Sequence, residues 1–190
     1  MDIRSVKTRQ QIAQCFEQML AEKHISKITV TDLCEKAKIN RATFYKHFLD
    51  IYDLQEMLER EVLTDMDGFL RERAFSSNGD YQTMMTEFLS YAKQFGSRFY
   101  ILCSANAASD LPAKIFQLLY SLAFPILKEK LPDVDEERTK LLYQYVSHGC
   151  GSVLRSWLSG ESTMTEADTA EFIMMTSGAT VAAIADNRRS

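Results

Sequence analysis

The residues best suited to chemistry here are Arg41, Ala42, Tyr45 and Lys46, and their chemistry is binding rather than bond-making. At helical spacing these two cations, one small side chain and one aromatic share a face, while Phe44 and Phe48 at i, i+4 form the opposite, apolar one. A face of this kind beside a helix start can approach a nucleic-acid groove. Unpaired backbone N–H groups receive a phosphate, and Arg and Lys reach base edges or backbone. Read in isolation, Tyr45 and Lys46 serve equally as solvated surface. His47 admits two readings, a titrating switch or metal ligand on one side and a hydrogen-bonding or phosphate-contacting group on the other. No second ligand stands nearby at a useful spacing, which favours the latter.

Catalytic patterns are missing from the sequence: it has no HExxH, GxSxG, P-loop or paired Cys/His set. Gly149-Cys150-Gly151-Ser152 imitates a glycine loop but lies inside a helical pattern. Cys15, Cys34, Cys103 and Cys150 are widely spaced among apolar helical residues, as reduced, buried thiols are. The expectation is a protein that is not an enzyme and uses no cofactor and no metal.

The elements that must position Arg41–His47 announce themselves by a helix-start signature that occurs three times between Ile28 and Leu54. In Ile28-Thr29-x-x-Asp32-Leu33, Thr29 caps a helix, Asp32 closes the capping box, and Ile28 and Leu33 staple its start. Ile39-Asn40-x-x-Thr43-Phe44 and Leu49-Asp50-x-x-Asp53-Leu54 repeat the pattern. The spacing predicts two short helices, about Val30 to Ala37 and Arg41 to Phe48, and the start of a longer one. Two such helices bury little by themselves and make sense as a helix-turn-helix presenting its second helix outward. Ahead of them, Ile12, Phe16, Met19 and Leu20 mark one stripe of a helix from about Val6 to Lys23. Arg4, Lys7 and Arg9 crowd its start, either as a solvated end or as a phosphate clamp.

Length and charge agree with this division. The 190 residues suit one domain, or a small head on a larger body, and 46% hydrophobic content is ample for a core. The net charge of −4 hides an asymmetry: residues 1–50 carry nine Lys/Arg against six Asp/Glu, whereas residues 51–190 carry thirteen against twenty. A basic segment on an acidic remainder fits a head that faces nucleic acid. No apolar run is long enough to span a membrane and no secretory segment opens the chain, so a cytoplasmic location is expected.

Thr29-Val30-x-Asp32-Leu33, Ala37-x-Ile39-Asn40, Ala42-Thr43-Phe44-Tyr45-x-His47-Phe48 and Asp53-Leu54 closely resemble the DNA-binding head of the TetR family of transcriptional regulators. The resemblance covers roughly Val6 to Leu63. It implies that the helix at 41–48 enters the major groove with Arg41, Ala42, Thr43, Tyr45, Lys46 and His47. It also implies that the first helix (Lys7, Arg9), the start of the second (Thr29, Val30, Thr31) and Asn40 lie against the DNA backbone. Two positions depart from the family pattern. Lys38 stands where Gly is usual, and at positive φ it costs about 1 kcal/mol. Ile51 stands where a phosphate-contacting Lys is common.

The resemblance implies an all-α fold of about nine helices: a three-helix helix-turn-helix head over residues 1–50, whose packing continues to about residue 63, and a helical effector-binding and dimerisation body over 51–190. Periodicity places the body's helices at about Ile51–Phe75, Tyr81–Phe95, Phe99–Ala107, Asp110–Lys130 with a kink at Pro125, Asp135–Ser159 closed by Gly160, and Thr165–Asp186. The long fourth helix joins head to body and can transmit tilt. Phe88, Tyr91, Phe95, Phe99, Tyr100, Phe116, Tyr120 and Trp157 can line an apolar pocket, with Asn106 or His148 as polar anchors, or can simply be core. Small and apolar residues of the last two helices, Gly149, Val153, Trp157, Ile173, Ser177 and Val181, suit an intramolecular hairpin or half of a four-helix dimer interface; the resemblance favours the dimer. The partners it implies are double-stranded DNA, a second copy of the chain, and a small hydrophobic effector or, alternatively, a partner protein bound by the body. The function it implies is a dimeric repressor released from a palindromic operator.

Overall fold

Helical periodicity governs the whole of the described chain. The computed structural model describes residues 3–76, 81–94 and 96–186, and among these it has α-helices and no strand. The helices are α1 (Ile3–Glu22), α2 (Val30–Lys36), α3 (Arg41–Tyr45), α4 (Ile51–Ser76), α5 (Tyr81–Gln94), α6 (Gly96–Leu102), α7 (Leu111–Lys130), α8 (Glu136–Leu158) and α9 (Glu166–Asp186), with a single 3-10 turn at Ile25–Lys27. They fall into two compact units: Met1–Met66 with Ser97–Pro112, and Asp67–Gly96 with Ala113–Ser190. No described helix is long and apolar enough to cross a membrane.

In the first unit the expected stripes are the core. Ile12, Phe16, Met19 and Leu20 of α1 and Leu54, Leu58, Val62 and Met66 of α4 are buried, with Leu33, Phe44 and Phe48 between them in sequence. The segment Ser97–Pro112 joins this unit through polar bonds that periodicity does not reveal. Arg98 pairs with Glu17 of α1 at 2.5 Å and with Glu61 of α4 at 3.1 Å. The Asn106 side chain donates to the Leu20 carbonyl at 3.1 Å, while its own carbonyl accepts the Ile25 N–H at 2.8 Å. Ser109 donates to Glu59 at 2.6 Å, and Glu59 also accepts from Gln55 at 2.8 Å, both of them buried on α4.

These bonds account for one departure from the sequence reading. The alanine-rich stretch expected to stay helical to Ala107 leaves the helix at Leu102 and turns, with Ala108 at φ 49°. The tertiary bonds of Asn106 and Ser109 outweigh local helix propensity there. The helix also begins earlier than expected, at Gly96.

In the second unit α9 packs against both α5 and α8. One cluster joins Leu89, Ala92, Leu154 and Ala170, with Phe88, Trp157 and Leu158 against it. Another joins Leu131, Val134 and Leu142, with Leu127, Val146, Val181 and Ala185. An aromatic series links α7 to α8: Phe124 stacks on Tyr120 (4.6 Å), and Tyr120 and Phe116 meet Tyr143 at 5.0 and 5.2 Å. Burial pushes the Tyr143 phenol up to about 12, and its hydroxyl donates to the Phe116 carbonyl at 3.3 Å. α7 remains helical through Pro125. Gly160 ends α8 at φ 80°, as its expected capping role requires.

Arg98 and Glu17 give an asymmetric test. Burial raises the Glu17 carboxyl above its ordinary value, and the neighbouring Arg98 opposes this only in part. Arg98→Met should therefore destabilise the first unit by about 1–3 kcal/mol in urea unfolding, because it leaves a shielded carboxylate without its cation. Glu17→Gln should cost clearly less.

Candidate nucleic-acid interface

α3 has five residues, too few to hold a helix in water, so its neighbours fix it. Asn40 caps it: its side-chain oxygen accepts from the Thr43 N–H at 2.7 Å and from the Thr43 hydroxyl at 2.9 Å. Phe44 is fully buried and touches Phe48, 3% exposed, with ring centroids 5.7 Å apart. The helix ends at Tyr45, earlier than the expected Phe48, but the Phe48 N–H still bonds the Phe44 carbonyl at 3.0 Å, which keeps both rings inward. With that face committed, Arg41, Ala42, Tyr45 and Lys46 are exposed. Arg41 lies over the Tyr45 ring, 6.0 Å from its centroid, with its guanidinium 3.5 Å from the hydroxyl. The two side chains thus present a joined cationic and aromatic surface. Thr43 and His47 are half-buried; the Thr43 hydroxyl spends its proton on Asn40 and can offer DNA only acceptor lone pairs.

α2 is built the same way. Thr29 caps it by accepting from the Asp32 N–H at 3.1 Å, and Ile28 and Leu33 are buried as a staple. Hydrogen bonding to Thr29 and the nearby Lys23 hold the Asp32 carboxyl below its ordinary value. Thr29 and Thr31 are exposed and Val30 is half-buried at this start. On α1, Lys7 is exposed, while Arg9 packs over the Phe48 ring, 5.8 Å from its centroid. That contact ties the basic start of α1 to the aromatic pair beneath α3.

The third helix start departs from the other two. Asp50 accepts from the Tyr52 and Asp53 N–H groups, each at 2.8 Å, and Asp53 reaches back to the Leu49 N–H at 2.9 Å. Leu49, expected to staple this start with Leu54, is instead 80% exposed, since both carboxylates already fix the turn. Ile51 is 6% exposed, so the position where a cation was missed is part of the core. Between α2 and α3, Lys38 adopts φ 51°. Its N–H bonds the Glu35 carbonyl at 3.2 Å, and the Ile39 N–H bonds the Cys34 carbonyl at 3.0 Å, completing a left-handed helix stop around a residue with a β-carbon.

The aromatic candidates for a pocket fall in different places. Phe88 and Trp157 pack on the Leu89 cluster, and Tyr91 stacks on Phe69 at 4.6 Å, in the second unit. Phe116 and Tyr120 belong to the Tyr143 series. Phe99 and Tyr100 lie on α6, in the first unit, and Phe95 lies outside the described residues. Asn106 spends its polar groups on the first unit, and His148 sits on α8 against Phe116 at 4.7 Å.

Of the residues named for dimerisation, Gly149 is exposed, with nothing within 4 Å of where a β-carbon would stand. Val153, Trp157, Ser177 and Val181 are half-buried and Ile173 is 2% exposed. Trp157 and Val181 pack inside the second unit, and Ser177 donates to the Ile173 carbonyl. A different face of the same helices is open, carrying Leu141, Tyr145, Phe172 and Met175 at 58, 73, 40 and 61% exposure. Periodicity identified apolar residues on these helices but could not say which side another helix of the same chain would cover.

An all-helical protein with a capped helix-turn-helix and an exposed basic second helix is built to bind DNA. Comparison with known proteins agrees. The family model for a transcriptional regulator C-terminal region of the TetR type matches residues 79–177, just over half of the chain. An uncharacterised HTH-type transcriptional regulator of Bacillus subtilis is 38% identical over 69 residues, a match spanning 35% of this chain and 18% of that protein's length. Among solved structures, NalD of Pseudomonas aeruginosa, a secondary repressor of a multidrug efflux pump, superposes with TM-score 0.65 at 18% identity, over 93% of this chain and 97% of that one. A TetR transcriptional regulator of Streptococcus agalactiae gives 0.64 at 20% identity, over 92% and 95%. The chain belongs to the TetR family of transcriptional regulators.

Lys38→Gly tests the turn that sets α3. Removing the β-carbon from a left-handed position should raise stability by about 1 kcal/mol, measured as a shift in urea midpoint at constant slope.

Proposed function

We propose that the chain works as a homodimeric repressor that places two copies of α3 in successive major grooves of a palindromic operator, about 34–36 Å apart. The observation that carries this reading is the α3 face itself. Arg41, Ala42, Tyr45 and Lys46 are exposed while Phe44 and Phe48 hold the helix by its other side. Lys7, Thr29, Thr31 and Asn40 supply backbone contacts around it, and Thr43 and His47 act at its inner edge. The head corresponds to residues 1–50 and the start of α4, and the remainder serves effector binding and dimerisation. A small hydrophobic effector meets the aromatic clusters of α5, α7 and α8, and its binding tilts α4 and changes the spacing of the two α3 helices. The protein acts in the cytoplasm, where its operator is.

For the dimer, the support is the open face of α8 and α9. Leu141, Tyr145, Gly149 and Ser152 recur at i, i+4, i+8 and i+11, and Phe172, Met175, Ala179 and Ala182 at i, i+3, i+7 and i+10; all are exposed in the single chain. Such stripes form a four-helix contact with a second copy.

Two measurements test this. Operator fragments selected from a random DNA pool should be palindromic, and affinity for them should fall steeply with salt. Arg41→Ala and Tyr45→Ala should each weaken binding roughly 10- to 100-fold without loss of helicity; no DNA binding at any salt would sink the reading. Separately, Leu141→Glu with Met175→Glu should convert a dimer to a monomer in sedimentation equilibrium, and an unchanged mass would rule that face out.

A further inference from the structure

The turn between α2 and α3 places a cation where the backbone disfavours any residue with a β-carbon. Lys38 adopts φ 51° and its side chain is exposed, so burial does not offset the strain. Three bonds hold the turn in this form. The Lys38 and Ile39 N–H groups donate to the Glu35 and Cys34 carbonyls at 3.2 and 3.0 Å, and the Gln11 side chain of α1 donates to the Ala37 carbonyl at 2.7 Å. Strain held this firmly points to a use for the residue that bears it.

The Gln11 bond also places this turn within the first unit. Gln11 and Lys7 lie one helical turn apart on the same face of α1, about 6 Å along its axis, and both are exposed. On the other side of Lys38, Asn40 caps α3 and Arg41 opens its exposed face. Lys38 thus stands where the basic start of α1 and the exposed face of α3 come together. Lys36, Lys38, Arg41 and Lys46 are all exposed, and the sequence has no carboxylate between Glu35 and Asp50. Among the described residues, no ion pair joins Lys38 to a carboxylate. The start of α4 offers no such cation. Ile51 is buried there, and the exposed Asp50 and its neighbour Asp53 are carboxylates that hold backbone N–H groups of the turn.

We propose that Lys38 is a DNA-phosphate contact of this regulator, supplying from the α2–α3 turn a cation that the start of α4 lacks. The inference rests on the reading of the first unit as a DNA-binding head. A lysine ammonium on its long stem binds a phosphate as a point charge and releases a condensed counterion in doing so. The contact therefore strengthens binding to any DNA sequence, and its contribution shrinks as salt rises. Glycine at this position would give a more relaxed turn and a weaker hold on DNA.

The experiment measures fluorescence anisotropy of the full chain across a salt series, on a labelled mixed-sequence DNA duplex and on a palindromic duplex selected from a random pool. Lys38→Gly and Lys38→Asn both accept the left-handed form without the charge. Each should lower the slope of log affinity against log salt by about 0.9 per bound protomer, on both duplexes. For two protomers the deficit against wild type then grows roughly 3.5-fold with each halving of the salt. Lys38→Arg should keep the wild-type slope. Lys38→Gly should lose affinity while its urea midpoint rises, which separates lost binding from lost folding. Wild-type slopes in both neutral variants, or a loss equal at every salt, overturn the proposal; so does Lys38→Arg behaving like the neutral variants. A wild type that binds neither duplex at the lowest salt overturns the DNA reading beneath it instead.

Discussion

The burial of Phe44 is the constraint on which the exposed basic face of α3 depends. A helix of five residues closes too few backbone bonds to persist alone, so its axis and rotation are set from beneath. Phe44 fixes rotation, Phe48 extends the same anchor, and Arg9 lies across that second ring. Asn40 then fixes where the helix starts. Once these are satisfied, Arg41, Tyr45 and Lys46 have only solvent, or a nucleic acid, to face. That exposed face is the remainder left by a packing problem.

The connections around α3 show what this placement costs and how the cost is met. Lys38 is held in a left-handed conformation by two converging backbone bonds, a place where glycine would be less strained. After α3, Asp50 and Asp53 take up the N–H groups of Leu49, Tyr52 and Asp53. With Ile51 turned into the core, this end of α4 is settled internally. Polar bonds also tether Ser97–Pro112 to the helices of the first unit, through Arg98, Asn106 and Ser109. Residues distant in sequence therefore share in holding α1 and α4 of the first unit, and the alanines among them give up helical form to do so.

In the second unit, α8 and α9 each have two apolar sides with different fates. One is consumed within the chain, where Ile173, Trp157 and Val181 pack. The other stays exposed and almost free of charge. An apolar face that costs solubility without contributing to the protomer's own core is consistent with a surface that a partner covers.

Much of the architecture was legible in the amino-acid sequence because helix periodicity and capping are local. Thr29, Asn40 and Asp50 stand where short-range hydrogen bonds require them, and the stripes of α1 and α4 follow the period of a single helix. The same locality made the outward face of α3 readable, since burying Phe44 and Phe48 leaves Arg41 and Tyr45 no other direction. Tertiary structure alone decided the rest. Whether the chain stays helical past Leu102 and which side of α8 and α9 is covered both depend on groups far away in sequence. Asn106 meeting Leu20, and Val181 packing on the cluster of Leu131, Val134 and Leu142, bring together residues tens of positions apart, and no local spacing encodes them. The sequence by itself determined what each helix could bury; only the fold decided what it did bury and what it left exposed.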